Sequence, residues 1–475
     1  MFHARSSLMV GALTASVFAL LSPLTACATS GAVTSGSATA APARGPSTPS
    51  HVAQAGGQRA DGSPRAADIA LSLSSTGRLR LQVTTVDGGG TALSTSLRVS
   101  VGSTLTPRSG VTLRQGSLTV HRLTLPILRP GATYRYDLTV VANGVSRTYP
   151  ARGRYSFTAP ASPTQALTLL YWGDSRPDST SPTAPEPQAF LRIIDSALAR
   201  SPRPVLGLAG GDLVNAPSDT VAGLLDEKYA IFAQTENRLA RRMPVMAAPG
   251  NHENPGATAR DLAWRRWFTF PTAASSAGLH YSFNDGDVHV AVLDSSTGGG
   301  RIGYYGLGDP RNSSQANWLV ADLTRNRARW TIVMFHHPLF DPKPTDPWAG
   351  AAQAERNALA RLFAREGVDL VLQSHVHDYR RHEEPVSKGG TAYHLAYITE
   401  GGGGASLYPV TLAPLDRFDV KAFSAYGYLM LQSNGAGKLT AVAYSVDATT
   451  GSTTVGDRFT VAQVPRGATD QGPAK

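Results

Sequence analysis

Met243-Pro244-Val245-Met246-Ala247-Ala248-Pro249-Gly250-Asn251-His252-Glu253 runs from an apolar stretch straight into a polar, glycine-hinged turn. The apolar part is too short for a helix and too continuous for a half-exposed strand, so it reads as a buried strand. Its tip carries an amide beside an imidazole, groups that are costly to bury unless something binds them. A metal ion or an oxyanion would be such a partner, whereas a Gly-Asn pair alone reads as an ordinary surface turn.

Five more apolar runs end in the same way. Ala166–Trp172 leads to Gly173-Asp174-Ser175-Arg176, and Pro204–Ala209 leads to Gly210-Gly211-Asp212-Leu213-Val214-Asn215. Val288–Leu293 ends at Asp294, Trp330–Phe335 at His336-His337-Pro338, and Leu370–Gln373 at Ser374-His375-Val376-His377. Between them, Gln188–Arg200, Thr220–Ala240, Ser313–Leu323 and Ala351–Ala364 place apolar residues at helical spacing. Strands alternating with helices predict an α/β domain over residues 165–462, with strands near Thr391–Thr399, Tyr426–Gln432 and Lys438–Val446 completing a two-sheet βαβ sandwich. In such sheets ligands bind beyond the carboxyl ends of the strands. Six tips bearing Asp, Asp, Asn-His, Asp, His and His-x-His therefore predict one metal site.

The ordered blocks Gly-Asp, Gly-Gly-Asp, Gly-Asn-His-Glu, His-His-Pro and His-x-His-Asp-Tyr resemble those of calcineurin-like metallophosphoesterases, most of all the purple acid phosphatase branch. The resemblance implies a hydrolase that opens phosphomonoesters by in-line attack of a metal-bridging hydroxide, on a phosphorylated small-molecule substrate. It implies two metal ions as cofactors, and the carboxylate and imidazole donors suit Fe, Mn or Zn alike. Asp212 would bridge them, Asn251, His336 and His375 would complete one site, and Asp174 and His377 would serve the other. The family pattern puts the ligand two residues before the proline, which selects His336 and leaves His337 behind it or facing substrate. His252 would be the catalytic proton donor near the leaving oxygen. Two positions depart from the pattern. Where many relatives have a histidine ligand this chain has Arg176, a candidate for binding substrate phosphate. Where the purple enzymes have their iron-binding tyrosine it has Asn215, which is the alternative for filling that gap through its oxygen or a water, and no purple charge-transfer band is expected. A phosphodiesterase or nucleotidase, or a weakened surface binder of phosphate ligands, are the alternatives.

Residues 66–160 change to short alternating segments: Ile69–Leu73, Leu79–Thr84, Ser96–Val101, Leu118–Leu125, Tyr134–Val141 and Arg154–Thr158. Turn residues such as Arg129-Pro130-Gly131 and Asn143-Gly144 separate them, which predicts an all-β sandwich. Leu128 to Tyr136 resembles a stretch common in fibronectin type III-like domains, which the purple enzymes carry in front of the catalytic one. The sandwich holds no cluster of His, Asp or Glu, so a structural or substrate-restricting role is expected. Ala161–Thr164 reads as a short linker.

Residues 1–26 read as an export signal, with an apolar stretch from Leu8 to Leu21 too short to span a membrane. Leu24-Thr25-Ala26-Cys27 resembles a lipobox, with Cys27, the single cysteine in the chain, as the lipid attachment point. That makes the protein an exported lipoprotein held to a membrane by its N-terminal lipid. The same residues also suit ordinary cleavage and free secretion. Residues 27–65 are small and polar and form a tether, and residues 463–475 read as a disordered tail. The formal charge is +10, but its arginines are scattered, without a run or an aromatic-interleaved patch, so specific nucleic-acid binding is not expected and no obligate protein partner is indicated. Two aromatic-bearing loops, Gly298–Pro310 with Tyr304 and Tyr305, and Asp341–Trp348, are candidates for lining the substrate pocket.

Overall fold

The computed structural model describes residues 65–86, 96–101, 111–115, 118–142, 145–176, 185–215, 222–253, 263–271, 279–296, 302, 313–340, 353–410 and 417–470. The signal segment, Cys27, the tether and most of the two candidate pocket loops lie outside these residues.

The N-terminal part is a sandwich of two antiparallel sheets. One has the order β1-β2-β5-β4, from Arg65–Leu73, Leu79–Val86, Leu118–Thr124 and Val111–Gln115. The other is β3-β6-β7, from Ser96–Val101, Thr133–Ala142 and Val145–Tyr149, with β8 (Tyr155–Thr158) also paired to β6. Alternation does the work: Leu71, Leu73, Leu79, Leu81 and Val83 from one sheet and Tyr136, Leu138, Val140 and Phe157 from the other are buried in one cluster. Strands β4 and β7 were not anticipated. Val111-Thr112-Leu113-Arg114-Gln115 and Val145-Ser146-Arg147-Thr148-Tyr149 are short and half polar, and they exist because a partner strand is already there to pair with.

The sandwich is not a detachable module. Its strand β1 reaches the next domain through a parallel bridge between Leu71 and Pro244. Asn237 Oδ1 accepts the Ile69 N–H at 2.8 Å, the Tyr136 hydroxyl donates to Arg241 O at 2.8 Å, and Gln82 Nε2 donates to Trp267 O at 2.7 Å. The linker is held too, since the Ala161 N–H donates to Asp285 Oδ1 at 2.6 Å. A single apolar cluster runs from Leu71 through Tyr136 to Leu169 and Leu208.

The second domain has two sheets. The six-stranded one is ordered β11-β10-β9-β19-β20-β21. Its parallel part comprises β9 (Leu167–Trp172), β10 (Leu206–Ala209) and β11 (Val245–Ala247), connected through helices α1 (Pro185–Leu198) and α2 (Ala222–Ala240). The antiparallel part comprises β19 (Gly427–Ser433), β20 (Leu439–Val446) and β21 (Thr453–Thr460). The eight-stranded sheet is ordered β12-β13-β14-β15-β17-β16-β18, with β22 (Thr469–Asp470) on β16. These strands span Tyr281–Asp285, Val288–Val292, Trp330–Met334, Leu370–Gln373, Thr391–Glu400, Tyr379–Lys388 and Asp419–Phe423. Ile332, Met334, Leu370 and Leu372 enter the large cluster, while Val333 and Val371 face a second one with Leu319, Leu323, Leu359 and Phe363 from α3 (Ser313–Arg325) and α4 (Gln353–Glu366). The expected two-sheet sandwich with helices outside is thus present.

Register levels the strand tips. Trp172 pairs with Ala209 and Ala209 with Ala247, while Val292 pairs with Met334 and Met334 with Leu372. All six motif-bearing turns consequently leave their sheets at the carboxyl edge. One expectation fails: residues 463–470 are not a disordered tail. Val464 is buried, its N–H donates to Asp369 Oδ1 at 2.8 Å, and β22 pairs with Val386 and Ser387. The Gln-Gly-Pro-rich composition hid a strand of two residues. No described helix is long and apolar enough to cross a membrane.

Candidate metal centre

The turns that carry the site are unusual in their backbone. Among the described residues, the non-glycine residues with positive φ are Asp174 at 55°, Asp212 at 53° and His375 at 70°. Left-handed backbone is unfavourable for residues with a Cβ and persists where surroundings over-determine it, typically at functional sites. Each of these turns swings a side chain back over the sheet edge. Gly250 allows a close approach, because a Cβ there would run into the Asp212 carboxylate and main-chain nitrogen.

The side chains converge. Asn251 Oδ1 lies 3.0 Å from His336 Nε2 and 3.0 Å from His375 Nδ1, and Asp212 Oδ1 lies 3.3 Å from the same His336 nitrogen. On the other side, His377 Nε2 lies 3.4 Å from Asp174 Oδ1. Asp174, Asp212 and His336 each bring a ligand atom within 4.8 Å of the others. All six ligands expected from sequence therefore meet at one place. The donor set fits cations: Asp174 Oδ1 is buried and accepts no hydrogen bond, an expensive state for a carboxylate oxygen unless a cation faces it. Burial would raise the Asp212 carboxyl, yet His336, His252 and Arg176 together hold it well below the usual range.

Supporting contacts fix the imidazoles. His336 Nδ1 is 3.0 Å from both Gly210 O and Ser374 Oγ, which turns Nε2 inward. His377 Nδ1 is 2.7 Å from Ser406 O, and its ring stacks on Tyr408 with centroids 4.2 Å apart. The His375 N–H donates to Asp174 Oδ2 at 2.7 Å. Glu253, quoted in the motif but given no role from sequence, proves central to this scaffold. Its carboxylate accepts the main-chain N–H groups of Gly250 at 2.6 Å, Asp212 at 2.9 Å, Leu213 at 2.6 Å and Val214 at 3.0 Å. One buried anion thereby ties the β10 turn to the β11 turn. Its position beside Asn251-His252 was the only available hint; nothing in one-dimensional spacing announces four backbone donors.

The two departures from the family pattern also have partners. Arg176 is buried, with Nε 3.2 Å from Asp212 Oδ2. It is thus a fixed cation on the second oxygen of the carboxylate assigned as the bridge. The Asn215 side chain meets His252, its Oδ1 lying 2.8 Å from His252 Nδ1. His252 Nε2 lies 3.9 Å from Asp212 Oδ2, and the His252 N–H donates to Asp212 Oδ1 at 2.9 Å. Burial lowers the His252 imidazole from its ordinary value, against the pull of Asp212.

Several other described histidines have partners of their own. His337 is buried, with Nδ1 3.0 Å from Ser295 Oγ and its ring 4.5 Å from that of His375, and it brings a ligand atom within 4.8 Å of those of His336 and His375. His289 is held between Asn284 and Asp322, and His382 between Asp419 and Glu384, both as structural groups. His280 packs against Trp318. Asp294, at a strand tip, takes the N–H and hydroxyl of Ser296 and so caps its own turn.

Comparison with known proteins agrees with this geometry. The calcineurin-like phosphoesterase family profile matches residues 184–379, which contain Asp212, Asn251, His252, His336, His375 and His377; Asp174 lies just before it. Purple acid phosphatase 21 of Arabidopsis thaliana is 30% identical over 230 residues, covering 46% of this chain and 48% of the relative. Purple acid phosphatase 18 of the same plant is 31% identical, covering 40% and 42%. An uncharacterized protein of Mycobacterium tuberculosis is 31% identical over 287 residues, covering 55% and 50%. The chain thus spans about half the length of the curated relatives it matches. In fold, purple acid phosphatase PPD1 from yellow lupin (Lupinus luteus) seeds superposes with a TM-score of 0.64 over 84% of this chain and 74% of that one, at 18% identity. Residues 184–379 thus match the calcineurin-like phosphoesterase family, and the curated proteins to which this chain is similar include purple acid phosphatases.

Proposed function

We propose that this chain is an exported metal-dependent phosphatase that hydrolyses phosphomonoesters. The observation that carries the reading is the meeting of Asp174, Asp212, Asn251, His336, His375 and His377 at one sheet edge, with Asp212 shared by both sides. Asp174 and His377 would hold one ion and Asn251, His336 and His375 the other, with Asp212 between them. Two such ions supply an activated water near neutral pH and a clamp on the phosphoryl oxygens. The chain's own residues do the rest. Arg176 offers a permanent positive charge beside Asp212 for a phosphoryl oxygen. His252 Nε2, on the same side of Asp212, hands a proton to the leaving oxygen. Ser374, Ser406 and Glu253 hold the imidazoles and turns so that little reorganisation accompanies reaction.

Residues 1–26 and the Cys27 context support export with a lipid anchor, which fractionation of wild-type and Cys27→Ser cells tests directly. The function is tested by metal analysis of the purified protein together with turnover of p-nitrophenyl phosphate and of bis-p-nitrophenyl phosphate. Two ions per chain and faster monoester turnover are expected. Faster diester turnover would replace the phosphomonoesterase reading with a phosphodiesterase, and metal binding without any turnover would leave a phosphate-binding protein.

A further inference from the structure

Arginine looks scattered along the chain, but the fold gathers part of it at the edge opposite the metal centre. Arg325, Arg327 and Arg329 occupy alternate positions from the last residue of α3 to the start of β14. All three line an open groove of about 880 Å³, whose walls include Ser75 of the sandwich and Thr164 of the linker. The β19–β20 turn separates it from a second groove of about 460 Å³. Arg203, just ahead of β10, and Lys438, just ahead of β20, line that one. Arg329 packs on the same turn, where a Cβ at Gly437 would meet its Nη1 at 2.8 Å. These are the amino ends of strands whose carboxyl ends carry Asp212 and His336. The length of a strand, roughly 15 Å, therefore separates the grooves from the metal centre.

The charges in this band lack counter-ions. All five basic residues are exposed, and among the described residues none pairs with a carboxylate. Arg327 donates to the carbonyl oxygens of Thr324 and Asn326, at 2.7 and 2.6 Å. The two carboxylates that line the larger groove are engaged. Asp287 takes the Ser433 hydroxyl, while Asp322 takes the Ser282 hydroxyl and meets His289 Nε2. No carboxylate lines the smaller groove. Concave walls carrying one sign of charge concentrate anions of the other. We propose that this band binds a linear phosphate polymer, held through its charged backbone. Shape selects that ligand. A flat bilayer does not enter grooves, and a single phosphate fills little of this volume, whereas a flexible chain follows both. The planar guanidinium fork matches phosphate oxygens in pairs. Bases would find no platform, because apart from the His289 imidazole the one ring among the lining residues is the buried Phe283. The ligand is thus a phosphate chain without bases, which inorganic polyphosphate represents. This site is separate from the metal centre and does not rest on the phosphatase reading.

The test is fluorescence anisotropy of labelled inorganic polyphosphate with the full chain, titrated at rising salt. Wild type is compared with Arg325→Ala/Arg327→Ala/Arg329→Ala, Arg203→Ala/Lys438→Ala, Arg325→Gln and His375→Ala. Melting temperature and p-nitrophenyl phosphate turnover are measured alongside. Wild-type affinity should fall steeply with salt, as release of counter-ions from a polyanion requires. Each alanine variant should weaken binding about tenfold or more and flatten the salt slope, with turnover unchanged. Arg325, whose side chain has no partner in the structure, supplies the variant that leaves the fold undisturbed. Arg325→Gln should keep the wild-type melting temperature and still flatten the slope. His375→Ala, altered at the metal centre, should bind the polymer like wild type. Undiminished binding in the alanine variants, an unchanged slope in Arg325→Gln, or loss of binding in His375→Ala would each overturn the proposal. Tighter binding to vesicles of anionic phospholipid, or to a single-stranded oligonucleotide, would overturn it in favour of that ligand. Orthophosphate competing as well as the polymer would overturn it too, by leaving a site for single anions.

Discussion

Glu253 Oε2 accepts the main-chain N–H of Asp212 at 2.9 Å, and the same carboxylate reaches Gly250, Leu213 and Val214. The residue beside the proposed proton donor thus determines how the bridging carboxylate is presented. Burial and the nearby Asp212 push the Glu253 carboxyl up to about 7, while the N–H donors pull the other way.

Glu253→Ala should be among the most damaging single substitutions in the chain. It removes the acceptor of four main-chain N–H groups, and deleting one partner of such a buried network costs about 3–5 kcal/mol. Urea unfolding measures it, and metal retention should fall in parallel because Asp212 and Asn251 lose their relative placement. A stable, fully metallated alanine variant would show that the two turns hold themselves.

Metal removal should destabilise the fold as well as abolish activity. Asp174 and Asp212 are buried at the same edge, and Asp174 Oδ1 accepts no hydrogen bond and faces only the His377 imidazole at 3.4 Å, so bound cations would relieve its burial. Chelator is expected to lower the melting temperature, and excess metal to restore it. His375→Ala and His377→Ala should each retain one ion of two. Loss of both ions from either variant would mean that the sites fill only together.

Visible absorption gives an independent check on position 215. With Asn215 bonded to His252, position 215 offers no phenolate, and the iron-loaded protein is expected to lack the purple band. Asn215→Tyr should introduce it. A purple wild type would require some other tyrosine at the metals.

A pH dependence of stability is expected far from the site. Asp68 on β1 and Glu236 on α2 are both buried and line, with Gln82, a cavity of about 30 Å³ between the two domains. Burial pushes Asp68 up to about 7, and burial with Asp68 beside it raises Glu236 well above the usual range. The folded protein holds these protons more tightly than the unfolded chain, whose Asp loses its proton near 3.8. Their contribution to stability is therefore fully present below about pH 4 and is lost as pH rises through 7. Asp68→Asn should flatten that slope and raise stability at pH 8 by on the order of 1–3 kcal/mol. An unchanged slope in thermal melts from pH 5 to 8 would assign the protons elsewhere.

The parallel strands of the second domain, and the six polar side chains that converge at their tips, were legible because buried parallel strands are continuous apolar runs and their tips are polar. Strand β16 was not, since Tyr379-Arg380-Arg381-His382-Glu383-Glu384 reads as a charged surface. It is a strand because Asp457 takes Tyr379 and Arg381, and Asp419 and Glu384 take His382. Asp68 lies just before the expected strand Ile69–Leu73 and drew no reading from sequence. Its burial comes from the partner domain, which its own sequence neighbours do not reveal.

Residue order alone determined the α/β sandwich and pointed to the six polar side chains that meet at its edge, because hydrophobic period and motif order are properties of the chain itself. The tertiary structure decided what each remaining polar group does. Whether Asn215 meets a metal or His252, whether Glu253 ties two turns together, and which carboxylate oxygen Arg176 holds depend on separations of about 3 Å between residues tens of positions apart. Hydrogen bonds lose their strength within an ångström of error, whereas apolar burial tolerates such shifts, and that difference in range separates what could be read from what had to be seen.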